Sequence, residues 1–139
     1  MVSLSRVVNV LAKIVVEVDF GKYKNVKLPV DEAEKLIGII TKKLGFESND
    51  VNETYRILRN FDAFYETQKK KFKDYLVPSK SMNDMILGKV IIDKVKLIRE
   101  DKDYVVLSFD RRVPLEVIVD ALRELGYEVE VKEQSLASL

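Results

Sequence analysis

The sequence has no cysteine, no histidine and no tryptophan. Without cysteine there can be no disulfide framework and no thiol nucleophile, and without both cysteine and histidine a structural zinc site has no basis. The absence of histidine also excludes a histidine general base and a Ser-His-Asp triad. Only five glycines are present, and no Walker loop, dinucleotide fingerprint or nucleophile elbow occurs, so a phosphate-cradling loop is nearly excluded. We therefore expect no catalytic residue, no cofactor and no metal.

A charge bias of one sign and a long hydrophobic run are lacking too. Lys and Arg total 24 against 23 Asp and Glu, which argues against a general nucleic-acid coat protein but leaves room for a local basic patch. Asn9, Lys13 and Glu17 interrupt the N-terminal apolar run, which therefore matches neither a signal peptide nor a membrane span. We expect a cytoplasmic protein. The many Lys, Glu, Val and Ile residues resemble the usage of thermophiles.

The apolar content is 47% over 139 residues, which suits a single globular domain, residues 1–139. Its central stretch, 51–76, predicts one long amphipathic helix spanning 50–77. Asp50 and Glu53 have the spacing of a capping box, and Pro78 ends the pattern. At about 1.5 Å per residue such a helix would be close to 40 Å long. One stripe of the helix carries residues in steps of three and four: Leu58, Phe61, Tyr65, Gln68, Phe72 and Tyr75.

The segments on either side of this helix each predict a β-β-α unit, unit one at 6–47 and unit two at 85–132. In unit one, residues 6–20 fit a helix or a strand, 23–28 fit a return strand, Asp31 and Glu34 fit a capping box, and Gly45 fits a helix C-cap. Unit two repeats this order, with Pro114 at a helix start, and ends in an alternating strand from Tyr127. Residues 82–90 fit a short helix or an extended segment, and we expect 133–139 to form a loose tail.

A shift of 81 positions lays unit one on unit two without a gap. Tyr23 meets Tyr104, Val26 meets Leu107, and the C-cap Gly45 meets Gly126. Because strand, turn, helix and cap agree together, we predict an internal structural repeat. The fold class is therefore α+β, with two pseudo-repeated β-β-α(-β) units flanking one long amphipathic helix. Shared β-β-α patterning by chance is the alternative.

Two surfaces are candidates for binding. The first is the aromatic stripe, which we predict to bind a protein partner or a second copy of the chain through Leu58, Phe61, Tyr65, Phe72 and Tyr75. The second is a basic run that could bind nucleic-acid phosphate, with aromatic residues for stacking. It consists of Lys69, Lys70, Lys71 and Lys73. The alternative for both surfaces is ordinary: core aromatics on one face and solvated lysines on the other.

Arg111 and Arg112 follow a predicted strand and precede a helix start, where they could hold a phosphate or a carboxylate. A solvated corner with an Asp110–Arg pair is the alternative. The acidic turn from Glu100 to Asp103 lacks the ligand number and the glycine of a calcium loop. Asp62 and Glu66 lie one helical turn apart, but nothing supplies further metal ligands.

These features give three interpretations in order. The first is a non-catalytic interaction subunit that uses the aromatic stripe. The second is a nucleic-acid-binding accessory protein that uses the lysine run and the two arginines. The third is a small enzyme that acts through carboxylate, lysine or tyrosine groups, for which no convergent set is visible.

Overall fold

The computed structural model describes residues 12–134 and contains five strands and five helices in this part of the chain. In chain order they are β1 (Ala12–Val18), β2 (Lys24–Pro29), α1 (Val30–Leu44), α2 (Asn49–Arg59), α3 (Phe61–Lys70), α4 (Met82–Leu87), β3 (Ile92–Arg99), β4 (Asp103–Phe109), α5 (Leu115–Glu124) and β5 (Tyr127–Glu133). The α+β class is confirmed. Among residues 12–134 no helix is long and apolar enough to cross a membrane.

The strands form one mixed sheet in the order β3-β4-β2-β1-β5. All neighbours are antiparallel except β5, which runs parallel to β1. Successive side chains of a strand alternate between the two faces, and here one face carries the buried residues. Val16, Val26 and Leu107 point to that face and meet Leu36 of α1 and Ile118 of α5 in the core. The helices thus cover one face of the sheet and leave the other open.

The centre of the sheet is the antiparallel pairing of β2 with β4, where Val26 lies opposite Leu107. These are two residues that the offset of 81 positions aligns. The two hairpins differ in register. Val26 pairs with Val16, and the offset of 81 positions maps Val16 onto Leu97. Leu107, however, pairs with Val95. The final strand is also unequal: β5 follows α5, but 46–48 form no strand after α1. The repeat itself remains a prediction.

The single long helix at 50–77 is wrong. The chain breaks at Asn60, whose backbone has φ −124° and ψ 43°, and whose side-chain amide donates to the Arg56 carbonyl at 2.8 Å. Asparagine competes with the helix in this way because its short side chain can bond the nearby backbone. After Lys70 the chain leaves the helix and returns to β3, where Leu76 forms a β-bridge with Val95. Both α2 and α3 contact β3, so the break lets two short helices follow the edge of the sheet.

Smaller expectations are also decided. Of the ambiguous residues 6–20, Ala12–Val18 is a strand and 6–11 lie outside the described residues. Of the tail predicted at 133–139, Glu133 belongs to β5, the Gln134 N–H bonds the Val18 carbonyl, and 135–139 lie outside the described residues. Neither capping box forms: α1 begins after Pro29 and α2 after Ser48, with no side-chain cap bond at either start. The cap at Gly45 is confirmed, with φ 81° and its N–H bonded to the Thr41 carbonyl.

Candidate functional site

The predicted aromatic stripe does not form one exposed surface. Leu58 is 3% and Phe61 7% exposed, and both belong to the core, which corrects their prediction as partner-binding residues. Tyr65 stacks on Phe61 with 5.6 Å between ring centroids. The Arg99 guanidinium lies over both rings, at 5.2 and 5.0 Å, and also contacts the carboxylates of Asp62 and Asp103. Its hydrogen bond to Asp103 is the largest cause of a raised pKa of Arg99.

The other stripe positions serve different purposes. Gln68 is buried, and its side-chain amide both donates to the Leu97 carbonyl at 2.9 Å and accepts from the Leu97 N–H at 3.0 Å. Tyr75 is half-buried, and the Lys94 ammonium lies 4.2 Å from its ring centroid. Phe72 is 95% exposed. The stripe is therefore divided between the core, the edge of the sheet and solvent.

The outer edge of β3 is closed by the chain between α2 and Lys80. Asp50 is fully buried, and its Oδ2 accepts from the N–H groups of Ile91 and Ile92 at 3.0 and 2.6 Å. The Lys80 ammonium donates to the Asp93 carbonyl at 2.8 Å. Together with the Leu76 bridge and the Gln68 amide, these bonds satisfy a row of backbone groups that would otherwise invite another strand.

Helix α4 exposes its apolar side chains. Met82 is 71%, Met85 45%, Ile86 76% and Leu87 56% exposed, and no residue of the helix is buried. These four side chains are called the α4 surface below. Singly exposed apolar residues are ordinary, but four of them on one short helix make a patch of the kind that marks a contact site. Methionine suits such a site because its flexible thioether adapts to the partner.

Helix α4 is held in place by its polar groups. Ser81 caps it, with Oγ accepting from the Asp84 N–H at 3.0 Å, and Gly88 ends it with φ 69°. The Asp84 carboxylate accepts from the Asn49 N–H at the start of α2, at 2.9 Å. That bond is the largest cause of a lowered pKa of Asp84. The helix thus turns its carboxylate towards the protein and its apolar residues towards solvent.

The Arg111–Arg112 corner lies at the C-terminal end of α4. Asp110 is 7% exposed, and its Oδ2 accepts from both the backbone N–H and the Nε of Arg112, at 2.9 and 3.0 Å. This pairing raises the pKa of Arg112. A terminal nitrogen of Arg112 lies 3.3 Å from where a Cβ on Gly88 would be. Arg111 is exposed, and its carbonyl accepts from the buried Lys24 ammonium at 2.8 Å. Burial lowers the pKa of Lys24, although Asp110 opposes this.

The lysine run lies at the end of α3, beside the outer edge of β3. Its four residues are exposed, and among the described residues none has a carboxylate within salt-bridge distance. Phe72 has φ 50°, while its N–H bonds the Lys69 carbonyl and the Lys73 N–H bonds the Gln68 carbonyl. This pattern is a Schellman motif, whose left-handed position glycine normally fills. A phenylalanine is thus held outwards in the middle of the lysines.

Lysines also lie on the open face of the sheet, mixed there with carboxylates. Lys94 and Lys96 of β3 line a shallow depression on this face, and Glu17 and Asp19 line the same depression. Lys27 of β2 also points to this face and lies 5.0 Å from the Tyr104 ring centroid. The sheet thus carries further lysines beside aromatic rings, which the lysine run in the sequence did not indicate.

Catalytic chemistry has no comparable support in residues 12–134. No group of three or more carboxylates there could hold a metal ion. The Oδ2 of buried Asp50 accepts from backbone N–H groups and so serves the fold, while its Oδ1 is buried with no hydrogen-bond partner among the described residues. The predicted turn from Glu100 to Asp103 joins β3 to β4, and its Glu100 pairs with Lys27 at 2.9 Å.

Comparison with known proteins gives no further guide: no family model matches the chain, and no curated protein and no solved structure matches it either. The function has to be argued from the residues themselves. Sequence reasoning identified the lysine run but missed the α4 surface. The signal was present, since Ser81 and Gly88 are typical helix-cap residues and bracket a six-residue segment with four apolar residues.

Proposed function

We propose that this protein is a non-catalytic interaction subunit whose α4 surface docks into a protein partner. The observation that carries the proposal is the orientation of α4, with Asp84 bonded to the protein and Met82, Met85, Ile86 and Leu87 in solvent. The proposal keeps the interaction function predicted from the sequence and moves its surface from the aromatic stripe to α4.

The energetics favour docking at this helix. Complete burial of a large apolar side chain contributes about 1.5–3 kcal/mol. Three of the four residues are more than half exposed and Met85 is 45% exposed, so docking can still bury much of their surface. Ordering costs are small because the Ser81 cap, the Gly88 cap and the Asp84 bond already fix the helix. A preformed helix loses less conformational entropy on binding than a flexible segment does.

The charges around α4 indicate the chemistry of the partner. Arg112 lies at Gly88, at the end of the helix, and Lys89 follows it, with its ammonium 5.8 Å from the Phe46 ring centroid. Arginine beside apolar anchors is a common composition for the energetic centre of an interface. The partner would therefore offer an apolar groove with carboxylates on the side that faces Arg112.

A crosslinking experiment tests this proposal. A photoreactive amino acid replaces Ile86, or the exposed Lys42 of α1 as a control position, and the full chain is irradiated in an extract of its source cells. We expect one discrete adduct from position 86, which disappears with an added Met85→Ser change. The matched control is Phe20→Ser, which removes an apolar side chain that is 49% exposed in the β1–β2 turn and should leave the adduct intact. The same adducts from positions 86 and 42 would refute the proposal.

Single-stranded nucleic-acid binding is a second candidate function, favoured by a separate observation. Phe72 stands 95% exposed in a left-handed backbone conformation between Lys71 and Lys73. A left-handed phenylalanine is strained by about 1–2 kcal/mol. Strain of this kind persists where it serves a function. An exposed ring with basic neighbours could stack on a base while the lysines contact phosphates.

The test is the salt dependence of binding to single-stranded RNA and DNA. Each phosphate contact contributes about −0.7 to the slope of log affinity against log salt for single strands. Changing Lys69, Lys70 and Lys71 to Ala should therefore flatten the slope by about 2, and Phe72→Ala should weaken binding without changing the slope. The control pair, Lys35→Ala and Lys42→Ala on α1, should have no effect. Unchanged affinity in the triple variant would exclude this function.

A further inference from the structure

The outer edge of β5 presents backbone groups that nothing in residues 12–134 engages. Strand β5 pairs along one side with β1, and it is the last strand of the sheet. The Gln134 N–H bonds the Val18 carbonyl at 2.9 Å, so Gln134 points towards β1. Because backbone groups alternate along a strand, the even-numbered residues of β5 also point to β1. The N–H and C=O groups of Val129, Val131 and Glu133 therefore point outwards.

The side chains of β5 are suited to pairing with themselves. Val131 lies on the helix-covered face opposite Val16, yet it is 40% exposed. On the open face, Glu128 lies opposite Lys13 and Lys132 opposite Glu17, whereas Glu130 lies opposite the uncharged Val15. In the described part of the chain, no charged residue therefore lies directly opposite Glu130, although Lys13 lines the same shallow depression. A lysine on the outer side of β5 would give Glu130 a directly opposite partner.

We infer that β5 pairs with β5 of a second copy, antiparallel and centred on Val131. In this register the two Val131 residues exchange both hydrogen bonds, because their backbone groups point outwards. Glu130 of each copy then lies opposite Lys132 of the other. That position is a non-hydrogen-bonded pair, in which cross-strand side chains are closest. The two exposed valines cover each other, and the two sheets become continuous.

Each neighbouring register places like charges opposite each other. Moving the centre to Glu130 sets Glu128 against Lys132 twice but places the two Glu130 side chains opposite each other, and moving it to Lys132 places the two lysines opposite each other. Centring on Val129 sets Glu128 against Glu130 twice. Like charges directly opposite each other are destabilising. The register centred on Val131 avoids all of these contacts, so the occupant that fits this edge is another copy of the same strand.

A backbone test is available because the Val131 N–H points away from β1. Proline there removes the two central intermolecular hydrogen bonds but none of those to β1, and proline is tolerated on an edge strand in that orientation. Sedimentation equilibrium of the full chain should show a dimer for wild type and for the control Val131→Ala, and a monomer for Val131→Pro. The Pro variant's circular dichroism should match wild type. A wild-type monomer at every concentration would overturn the inference, as would a dimer that survives Val131→Pro.

A charge exchange tests the register, and remains informative if the proline variant fails to fold. Lys132→Glu creates two repulsive pairs and should raise the dimer dissociation constant at least about tenfold. Adding Glu130→Lys should restore it to within about threefold, whereas adding Glu128→Lys should not. Rescue by Glu128→Lys alone would overturn the stated register. A dimer that depends on Ile86 and not on β5 would place self-association on the α4 surface and refute the inference.

Discussion

The two edges of the sheet manage their unpaired backbone in opposite ways. At β3, the groups that face outwards are bonded by Asp50, Lys80, Leu76 and Gln68, which come from three different parts of the chain between α2 and α4. At β5, no described residue bonds the outer edge, and charged side chains alternate along it instead. One edge is closed within the molecule, and the other remains available to a second chain.

The comparison explains why the central stretch is not one helix. A straight helix could present only one stripe to β3, whereas the edge needs a carboxylate near Ile91, an amide at Leu97 and a backbone segment at Val95. Breaks at Asn60 and after Lys70 let one stretch supply all of them. The exposed Phe72 lies within this closing segment, and α4 follows the segment directly in the chain, so both candidate binding surfaces lie in or beside the part that protects one edge.

The largest expected effect comes from removing the carboxylate at the closed edge. Asp50→Ala leaves the Ile91 and Ile92 N–H groups buried without an acceptor, and such groups cost about 1–3 kcal/mol each. We expect the free energy of unfolding to fall by about 3 kcal/mol, measured by urea denaturation. Asp50→Asn keeps an acceptor oxygen and should lose less than half as much. A loss below about 1 kcal/mol for Asp50→Ala would show that the hydrogen bonds from Asp50 contribute little to the stability of this edge.

The next effect concerns the Gln68 side-chain amide, which bonds both backbone groups of Leu97 as a neighbouring strand would. Gln68→Met keeps the length of the side chain but removes both bonds to Leu97, so we expect a loss of about 2 kcal/mol in the free energy of unfolding. Lys69→Met is the matched control, because it makes the same apolar change at an exposed neighbour and should stay within about 0.5 kcal/mol of wild type. Equal losses in the two variants would contradict the role of Gln68.

A third prediction has the opposite sign. Phe72→Gly should raise the free energy of unfolding by about 0.5–1 kcal/mol, since glycine adopts the left-handed conformation without the steric cost of a phenylalanine. Lys71→Gly, at the preceding position with φ −94°, should instead lower it by a similar amount. Thermal unfolding of the two variants decides the point. Destabilisation by Phe72→Gly would mean that the ring itself supports the turn.

Some of this architecture was open to prediction, because local patterns decided it. Alternating residues predicted β5, and a glycine after an apolar stripe predicted the end of α1 at Gly45. These signals depend on neighbours in the chain and on nothing else. The open alternative at residues 82–90 was also a local matter, and Met82–Leu87 is a short helix.

The central stretch could not be predicted, because tertiary contacts decided it. Leu58, Phe61 and Gln68 keep a helical spacing whether the helix is continuous or broken, so periodicity cannot reveal Asn60 as a break. The spacing also does not tell a buried stripe from an exposed one. Asp50 has the position of a helix cap in the sequence, yet it bonds β3, which is 41 and 42 residues away along the chain. Only the fold brings these groups together.

The smallest expected effect is on the bond between α4 and α2. The Asn49 N–H lowers the pKa of Asp84 below its ordinary value of 3.8, so the ionised carboxylate favours the native position of α4. A carboxylate with a lowered native pKa contributes stability above its unfolded pKa and loses it as the pH falls through the native pKa. We therefore expect α4 to loosen below about pH 4, while the β3 edge keeps its bonds from Gln68 and Leu76.

The NMR shift and the exchange rate of the Asn49 amide, followed from neutral to acidic pH, measure this effect directly. Asp84→Asn should remove the acid transition and leave an intermediate exchange rate throughout, because a neutral amide oxygen still accepts the bond but more weakly. Acid loosening that persists in Asp84→Asn would assign the transition to another carboxylate. If the Leu97 amide lost its protection from hydrogen exchange at the same pH, α4 and the closed edge would form one cooperative unit. The hydrogen bonds that close the β3 edge would then depend on this helix.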